Sequence, residues 1–269
     1  MISHRFRGFA PHENTLAGLK AALDFGVQWL EFDIRVARDG TPLIYHDEYA
    51  WNGENDQVYI CDIMRRGRAQ LGGAFAHMPT YEALLDLVKH HPNKTAKLLV
   101  DIKDQGFETE IHALTMASGL GGRVSYVSWL AEVLYRLHHI APSMPLCISH
   151  WCAPVNDLIR RHHKVYESPD GHIPRDPTPY RHGERMGWAI PYKDGLAGEM
   201  RDILKRVKGS VCVPQNMITR HLVHHYHKDD IQVSTFSYTD FAHLKSHKDE
   251  FNIDLYFIDN KEVFDGVSS

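Results

Sequence analysis

The stretch Glu31-Phe32-Asp33-Ile34-Arg35-Val36-Ala37-Arg38-Asp39-Gly40-Thr41-Pro42-Leu43-Ile44-Tyr45-His46-Asp47 decides the reading of this chain. Two β-prone runs flank Asp39-Gly40. Asp-Gly between such runs is a strong short-range signal for a two-residue hairpin turn, in which both central positions take positive φ. If Arg38 faces Thr41 across that turn, Asp33 lies opposite His46. Alternation puts Glu31 and Asp33 on one face of their strand, and a directly opposed partner shares that face, so His46 joins them. Two carboxylates spaced i, i+2 suit a hard cation with oxygen ligands, and an imidazole beside them can move protons at neutral pH. The bland alternative is a solvated hairpin carrying ordinary surface charges. Against it stand Val27, Trp29, Leu30, Phe32, Ile34 and Val36, which read as a buried strand, where an uncompensated carboxylate is costly.

Working outward, residues 1–15 read as a very short strand ending in a polar, turn-rich cluster. Asn14 or Thr15 can cap a helix with Leu16, Leu19 and Leu23 on one face, after which the chain enters the strand at 29–34. A strand, loop, helix, strand unit of this kind implies a right-handed crossover and a parallel sheet. Thr80 can cap a second helix bearing Tyr81, Leu84, Leu85 and Val88, and Leu98 to Lys103 is the next apolar strand. Further strands are expected near 123–127, 144–148, 209–213, 231–236 and 254–258, with helical patterns between most of them. Together with 2–4, 29–34 and 97–102 these make eight, the arm at 42–46 being an antiparallel extension. The fold class expected is α/β, a (β/α)8 TIM barrel formed as one domain over 1–269, with a small insertion at 48–78 after the second barrel strand. His4, Glu31, Asp33, Asp101 and Lys103 all then fall at strand C-terminal ends, the face where such barrels keep their chemistry.

A length of 269 residues with 43% hydrophobic content is enough for one large core, and a formal charge of -4 gives no basic footprint, so nucleic acid is not an implied partner. No apolar stretch approaches the length of a membrane span. The first polar motif begins at His4, which leaves no room for a leader peptide before it. Cys61, Cys147, Cys152 and Cys212 form no close C-x-x-C pair, which favours a reducing, cytoplasmic location. Histidine-rich runs at His162-His163 and His224-His225-Tyr226-His227 read as exposed helical positions without structural zinc spacing. Between Tyr166 and Tyr192, frequent Pro and Gly predict a long ordered loop. Its Arg175, Arg181, Arg185, Trp188, Tyr192 and the adjacent Lys193 fit either a substrate lid or a surface excursion on the rim.

Five elements in order carry a family resemblance: His4-Arg5 with Gly8, Pro11-His12-Glu13-Asn14-Thr15, Glu31 with Asp33, Asp39-Gly40, and His46-Asp47. In this combination the chain resembles the glycerophosphodiester phosphodiesterases. The resemblance implies a barrel enzyme that hydrolyses a small-molecule phosphodiester, a glycerophosphodiester above all, to a phosphomonoester and an alcohol. It implies one divalent cation, Mg2+ or Ca2+, on Glu31, Asp33 and Asp101. His4 and His46 would be the acid-base pair, with Arg5 and Lys103 near the phosphate. It also implies that 48–78 is an insertion over the mouth of the site. The family usually has Glu-x-Lys where this chain has Asp101 and Lys103, a side chain one methylene shorter, which a small backbone shift or a bridging water would absorb. Val233 to Ser237 resembles a family strand that often carries Trp-Thr, with Phe236 here. Ile253 to Asn260 resembles the closing strand without its usual Gly and Thr. A phospholipase D-like activity on lysophospholipids or sphingolipids is the alternative within the same chemistry, with Trp51, Phe75, Trp151 and Trp188 available for an apolar rim. A phosphate-binding barrel without catalysis is the alternative from another class.

Overall fold

The computed structural model describes residues 1–153, 166–167, 188–191 and 195–268. Its elements follow the alternation of a (β/α)8 barrel, and the chain divides into two compact units, Ser3–Val124 and Ser125–Ser269 together with Met1–Ile2.

The first unit begins with β1 (Ile2–His4) and α1 (Leu16–Phe25), followed by β2 (Trp29–Val36) and its antiparallel return arm β3 (Pro42–Ile44). Thr15, not Asn14, caps α1, its hydroxyl accepting from the Gly18 amide. A small hairpin of β4 (Tyr49–Trp51) and β5 (Gln57–Tyr59) leads through short 3-10 turns to α2 (Tyr81–His90), β6 (Lys97–Ile102) and α3 (Glu108–Ala117). Thr80 caps α2 as expected, accepting from the Ala83 amide. Strand β2 is buried on both faces. Leu30, Phe32 and Ile34 form one face, with Phe32 against Tyr81 of α2, while Glu31, Asp33 and Arg35 form the other. β6 lies parallel beside it with Asp33 paired to Asp101, so alternation places their two carboxylates next to each other on the same face.

The β2–β3 connection corrects the expected register. Ile34 pairs with Ile44, Arg35 with Leu43 and Val36 with Pro42, and the Ala37 amide donates to the Thr41 carbonyl at 2.9 Å. The loop is therefore three residues, Arg38-Asp39-Gly40, in which Gly40 alone takes positive φ (80°). A turn followed by a left-handed glycine adds one residue to a two-residue hairpin and shifts every opposed pair by one. Asp33 faces Tyr45, whose amide donates to the Asp33 carbonyl at 3.1 Å, and His46 lies beyond the end of β3.

The 48–78 insertion has its own small core, in which Ala50, Ile60, Ile63, Phe75 and Met78 pack with Ala37 and Leu43 of the hairpin. Phe75, expected as a rim aromatic, is fully buried there.

The second unit runs β7 (Val124–Ser128), α4 (Ala131–Ile140), β8 (Leu146–Ser149), β9 (Trp151–Ala153), β10 (Tyr166–Glu167), β11 (Trp188–Pro191), α5 (Gly198–Val207), β12 (Ser210–Pro214), α6 (Arg220–His227), β13 (Gln232–Tyr238), α7 (Phe241–Phe251), β14 (Leu255–Ile258) and α8 (Lys261–Ser268). β7, β8, β12, β13 and β14 pair in parallel in that order. Each of the eight expected barrel strands lies within two residues of its expected ends. Of the lid expected between Tyr166 and Lys193, Arg175, Arg181, Arg185, Tyr192 and Lys193 fall outside the described residues, as do His162 and His163. The other histidine run lies on α6, with His224 exposed and His225 and His227 half-buried.

Candidate active site

All seven residues singled out from the sequence lie in the first unit, and the structure gathers them at the C-terminal ends of β1, β2 and β6 and just past β3. Glu31, Asp33 and Asp101 are buried, and one carboxylate oxygen of each lies within 4.8 Å of the others. Burying three carboxylates together is costly unless cations and donors meet them. Lys103 brings its Nζ to 3.0 Å from Asp33 Oδ1 and 2.5 Å from Asp101 Oδ2. Arg5 places Nε 3.1 Å from Asp33 Oδ2, and its backbone amide donates to the Glu31 carbonyl (2.9 Å) and to Glu31 Oε2 (3.2 Å). His4 Nε2 lies 3.8 Å from Glu31 Oε2.

The electrostatics split the acids. Burial, reinforced by the charges of Asp33 and Asp101, pushes the Glu31 carboxyl well above the usual carboxylate range. Burial also opposes ionisation of Asp33, but Lys103 and Arg5 outweigh it and hold Asp33 well below that range. Burial opposes the charge on Lys103 as well, and Asp101 and Asp33 more than offset it. His46 is pushed down, first by burial, against the opposing pull of its hydrogen bond to Asp47 (Nδ1 to Oδ1, 2.8 Å) and of Asp33.

Several residues that hold this arrangement were not assigned to it from the sequence. Asn14 is buried, donates from Nδ2 to Asp33 Oδ2 at 2.9 Å, and donates its backbone amide to the Arg5 carbonyl at 2.8 Å. Arg5, Phe6 and Asn14 all sit at left-handed φ (55°, 60° and 55°), a cost on the order of 1 kcal/mol each. Such strain is characteristic of sites that the surrounding structure over-determines. Arg35 donates from Nε to the His46 carbonyl (3.0 Å) and from Nη1 to Asp104 Oδ1 (2.7 Å) and the Lys103 carbonyl (3.4 Å). Asp104 in turn accepts from the Val36 amide at 2.8 Å. Arg35 was legible in principle, because the alternation that joins Glu31 to Asp33 also puts Arg35 on their face. Asp104 carried no such signal.

The carboxylate cluster fits a hard divalent cation. Its donors are all oxygen, buried Asp101 Oδ1 accepts no hydrogen bond, and Asp33 Oδ1 meets the Lys103 ammonium at 3.0 Å. The pairing of β2 with β6 already brings Asp101 within reach of the other two acids, so its shorter side chain needs no adjustment to join them.

Known proteins resemble this chain in sequence and in fold. The Glycerophosphoryl diester phosphodiesterase family profile matches residues 3–146, more than half of the chain. A chloroplastic glycerophosphodiester phosphodiesterase of Arabidopsis thaliana is 40% identical over 47 residues, 18% of this chain and 13% of that protein. Glycerophosphodiester phosphodiesterase 1 of Mus musculus is 24% identical over 163 residues, 55% of this chain and 48% of that one. The matched regions thus span less than half the length of either relative. Among solved structures, an Oleispira antarctica phosphodiesterase in complex with the product sn-glycerol-3-phosphate superposes with a TM-score of 0.69 at 18% identity, covering 100% of this chain and 96% of that one. A Thermotoga maritima glycerophosphodiester phosphodiesterase gives 0.67 at 14% identity over 99% and 96%. These likenesses establish the (β/α)8 fold, and the profile match establishes kinship: this chain belongs to the glycerophosphoryl diester phosphodiesterase family.

Proposed function

We propose that the protein hydrolyses a phosphodiester, a glycerophosphodiester foremost, to a phosphomonoester and an alcohol. The observation that carries the reading is the meeting of three buried carboxylates with the half-buried cations Arg5 and Lys103 and two histidines at or just past strand C-terminal ends. Glu31, Asp33 and Asp101 would hold Mg2+ or Ca2+, which when bound supplies Lewis-acid stabilisation of charge on the phosphoryl oxygens. Charge balance supports the assignment. With Glu31 also ionised, three carboxylates against Arg5 and Lys103 leave one excess negative charge, and a divalent cation with a monoanionic diester brings the site to neutrality.

In this reading Arg5 and Lys103 add positive charge where the phosphorus becomes five-coordinate. His46 is the base. Burial keeps it neutral near pH 7, and Asp47, by accepting from Nδ1–H, leaves the Nε2 lone pair free to take the proton of the attacking water or of a neighbouring substrate hydroxyl. His4, beside Glu31, protonates the leaving alcohol. The insertion borders the mouth of the site, a placement supported by the stacking of His77 on His12 of the Pro11–Thr15 segment, with centroids 5.1 Å apart. A cytoplasmic location, which the spacing of Cys61, Cys147, Cys152 and Cys212 favours, belongs to the same reading.

A second reading has one observation in its favour. Trp51 and Met64 of the insertion are each about half exposed, which suits the acyl chain of a lysophospholipid. One experiment addresses both. Alcohol release from glycerophosphocholine, lysophosphatidylcholine and an aryl phosphodiester is measured after chelation, then with Mg2+ or Ca2+ restored, for the wild type and His46→Ala. Turnover of glycerophosphocholine that returns with the ion and vanishes in the variant is expected. A preference for lysophosphatidylcholine would favour the second reading. Turnover indifferent to chelation and to His46→Ala would overturn both.

A further inference from the structure

Helix α7 carries a histidine pair that the phosphodiesterase site does not use. His243 and His247 are one turn apart, and their Nε2 atoms lie 3.2 Å from each other. The other nitrogen of His247, Nδ1, is 2.9 Å from the hydroxyl of Tyr238, a fully buried residue at the end of β13. His243 packs edge-on against the same tyrosine ring, with centroids 5.4 Å apart. Both imidazoles are therefore held against one buried side chain while their Nε2 atoms converge.

We infer that His243 and His247 form a two-histidine site for a borderline transition-metal ion of the Zn2+, Ni2+ or Cu2+ class. The geometry is quantitative. With metal–nitrogen bonds of about 2.1 Å, a 3.2 Å separation subtends an angle of about 100° at the ion, between the octahedral right angle and the tetrahedral angle. Two lone pairs cannot face each other at this distance, so without an ion one proton must be shared between the rings. The ion takes the place of that proton. For both Nε2 atoms to ligate, His247 must carry its proton on Nδ1 and donate it to the Tyr238 oxygen, and a hydrogen bond of this kind fixes tautomer and ring orientation in metal sites. Neutral imidazoles select borderline ions over Mg2+ and Ca2+, so this site and the carboxylate cluster differ in the ions they prefer. Water completes the coordination. Glu250, exposed and near enough to His247 to favour its charged form, is the available carboxylate.

The site has a structural task to perform. α7 has one buried residue, Leu244. An ion bridging its first two turns, with Tyr238 behind His247, would tie α7 to the end of β13.

The test uses the full chain with saturating Mg2+ present to occupy the carboxylate cluster. Zn2+ binding is followed by calorimetry and by the shift in melting temperature, and the nitrogen hyperfine pattern of one equivalent of Cu2+ by electron paramagnetic resonance. Wild type, His243→Ala and His247→Gln are compared after circular dichroism shows that each is folded. Each single variant is expected to weaken Zn2+ binding at least tenfold, to lose the Zn2+-dependent rise in melting temperature, and to remove the two-nitrogen Cu2+ signature. Zn2+ isotherms and Cu2+ spectra identical to wild type in either variant would overturn the assignment.

Discussion

Replacing Arg35 with Met should impair turnover far more than substrate binding, although Arg35 is not among the residues assigned to touch the diester. Its side chain, 10% exposed, ties the His46 carbonyl at 3.0 Å and the Lys103 carbonyl at 3.4 Å to Asp104 at 2.7 Å. One side chain thus fixes the segment bearing the proposed base and the segment bearing the phosphate-side cation. Hydrogen bonds to charged groups are worth about 1.5–3 kcal/mol. Asp104 is 21% exposed and regains some water when its partner is lost, so the stability cost should be about 2–3 kcal/mol, less than for a fully buried pair. The catalytic cost is larger in proportion, because a displacement of about 1 Å in a reacting group can cost on the order of 100-fold. In Arg35→Met, kcat for glycerophosphocholine should fall tenfold to a hundredfold while KM changes less than threefold, as expected when a positioning contact is lost and ground-state binding is kept. Asp104→Asn, which keeps the shape and weakens the hold on the guanidinium, should show the same split with a smaller drop. A thermal melt confirms that each variant is folded. A folded Arg35→Met with kcat within threefold of wild type would refute the argument, because His46 and Lys103 would then be held in place by something else.

Burial holds His46 below the ordinary imidazole value and the Asp47 hydrogen bond opposes that shift, so Asp47→Asn should move the acidic limb of kcat/KM to still lower pH and reduce kcat on the order of tenfold. A pH–rate profile with the limb unmoved or moved upward would contradict it. Because Glu31 holds its proton above the usual range, cation binding should expel that proton, and affinity should rise with pH until Glu31 is ionised in the metal-free protein. Calorimetric Mg2+ titrations in two buffers of different ionisation enthalpy should give different observed enthalpies, and equal ones would show that no proton is released. Gly73 has φ of 53°, and an added Cβ would lie 2.7 Å from the Asn52 carbonyl carbon and closer still to the Trp51 carbonyl oxygen. Gly73→Ala should therefore destabilise the insertion by about 2 kcal/mol or more. Proteolysis confined to residues 48–78 would report it, and unchanged protection there would count against the close approach.

What the sequence revealed and what it hid divide along physical lines. A strand's period of two is local, so Glu31, Asp33, Asp101 and Lys103 could be placed on shared faces without knowing the fold, and capping by Thr80, and by Asn14 or Thr15 of which the structure uses Thr15, followed from the chemistry of adjacent residues. The His46 register was misjudged for a local reason as well. Asp-Gly fits a two-residue turn and equally a three-residue loop with a left-handed glycine, and the alternatives differ by one residue in every opposed pair. Asp104 was out of reach because its bond to Arg35 spans 69 positions of sequence. Phe75 was misread because the insertion shows no clear period, and only the packing of Ala50, Ile60 and Met78 reveals where that ring is buried.

The partners found in the fold also explain how such a site can exist in a buried interior. Without Lys103 and Arg5, the face of β2 and β6 that carries Glu31, Asp33 and Asp101 would hold three carboxylates with no counter-charge. With them, Asp33 is held ionised while Glu31 keeps its proton above the usual carboxylate range, and one negative charge comes into excess once Glu31 also ionises. The same cations that let the strands pack therefore balance two of the three acids. In the proposed reading a divalent ion displaces the Glu31 proton, and its remaining positive charge is available to a monoanionic diester. On that reading, stability and the preference for a monoanionic substrate rest on the same two side chains.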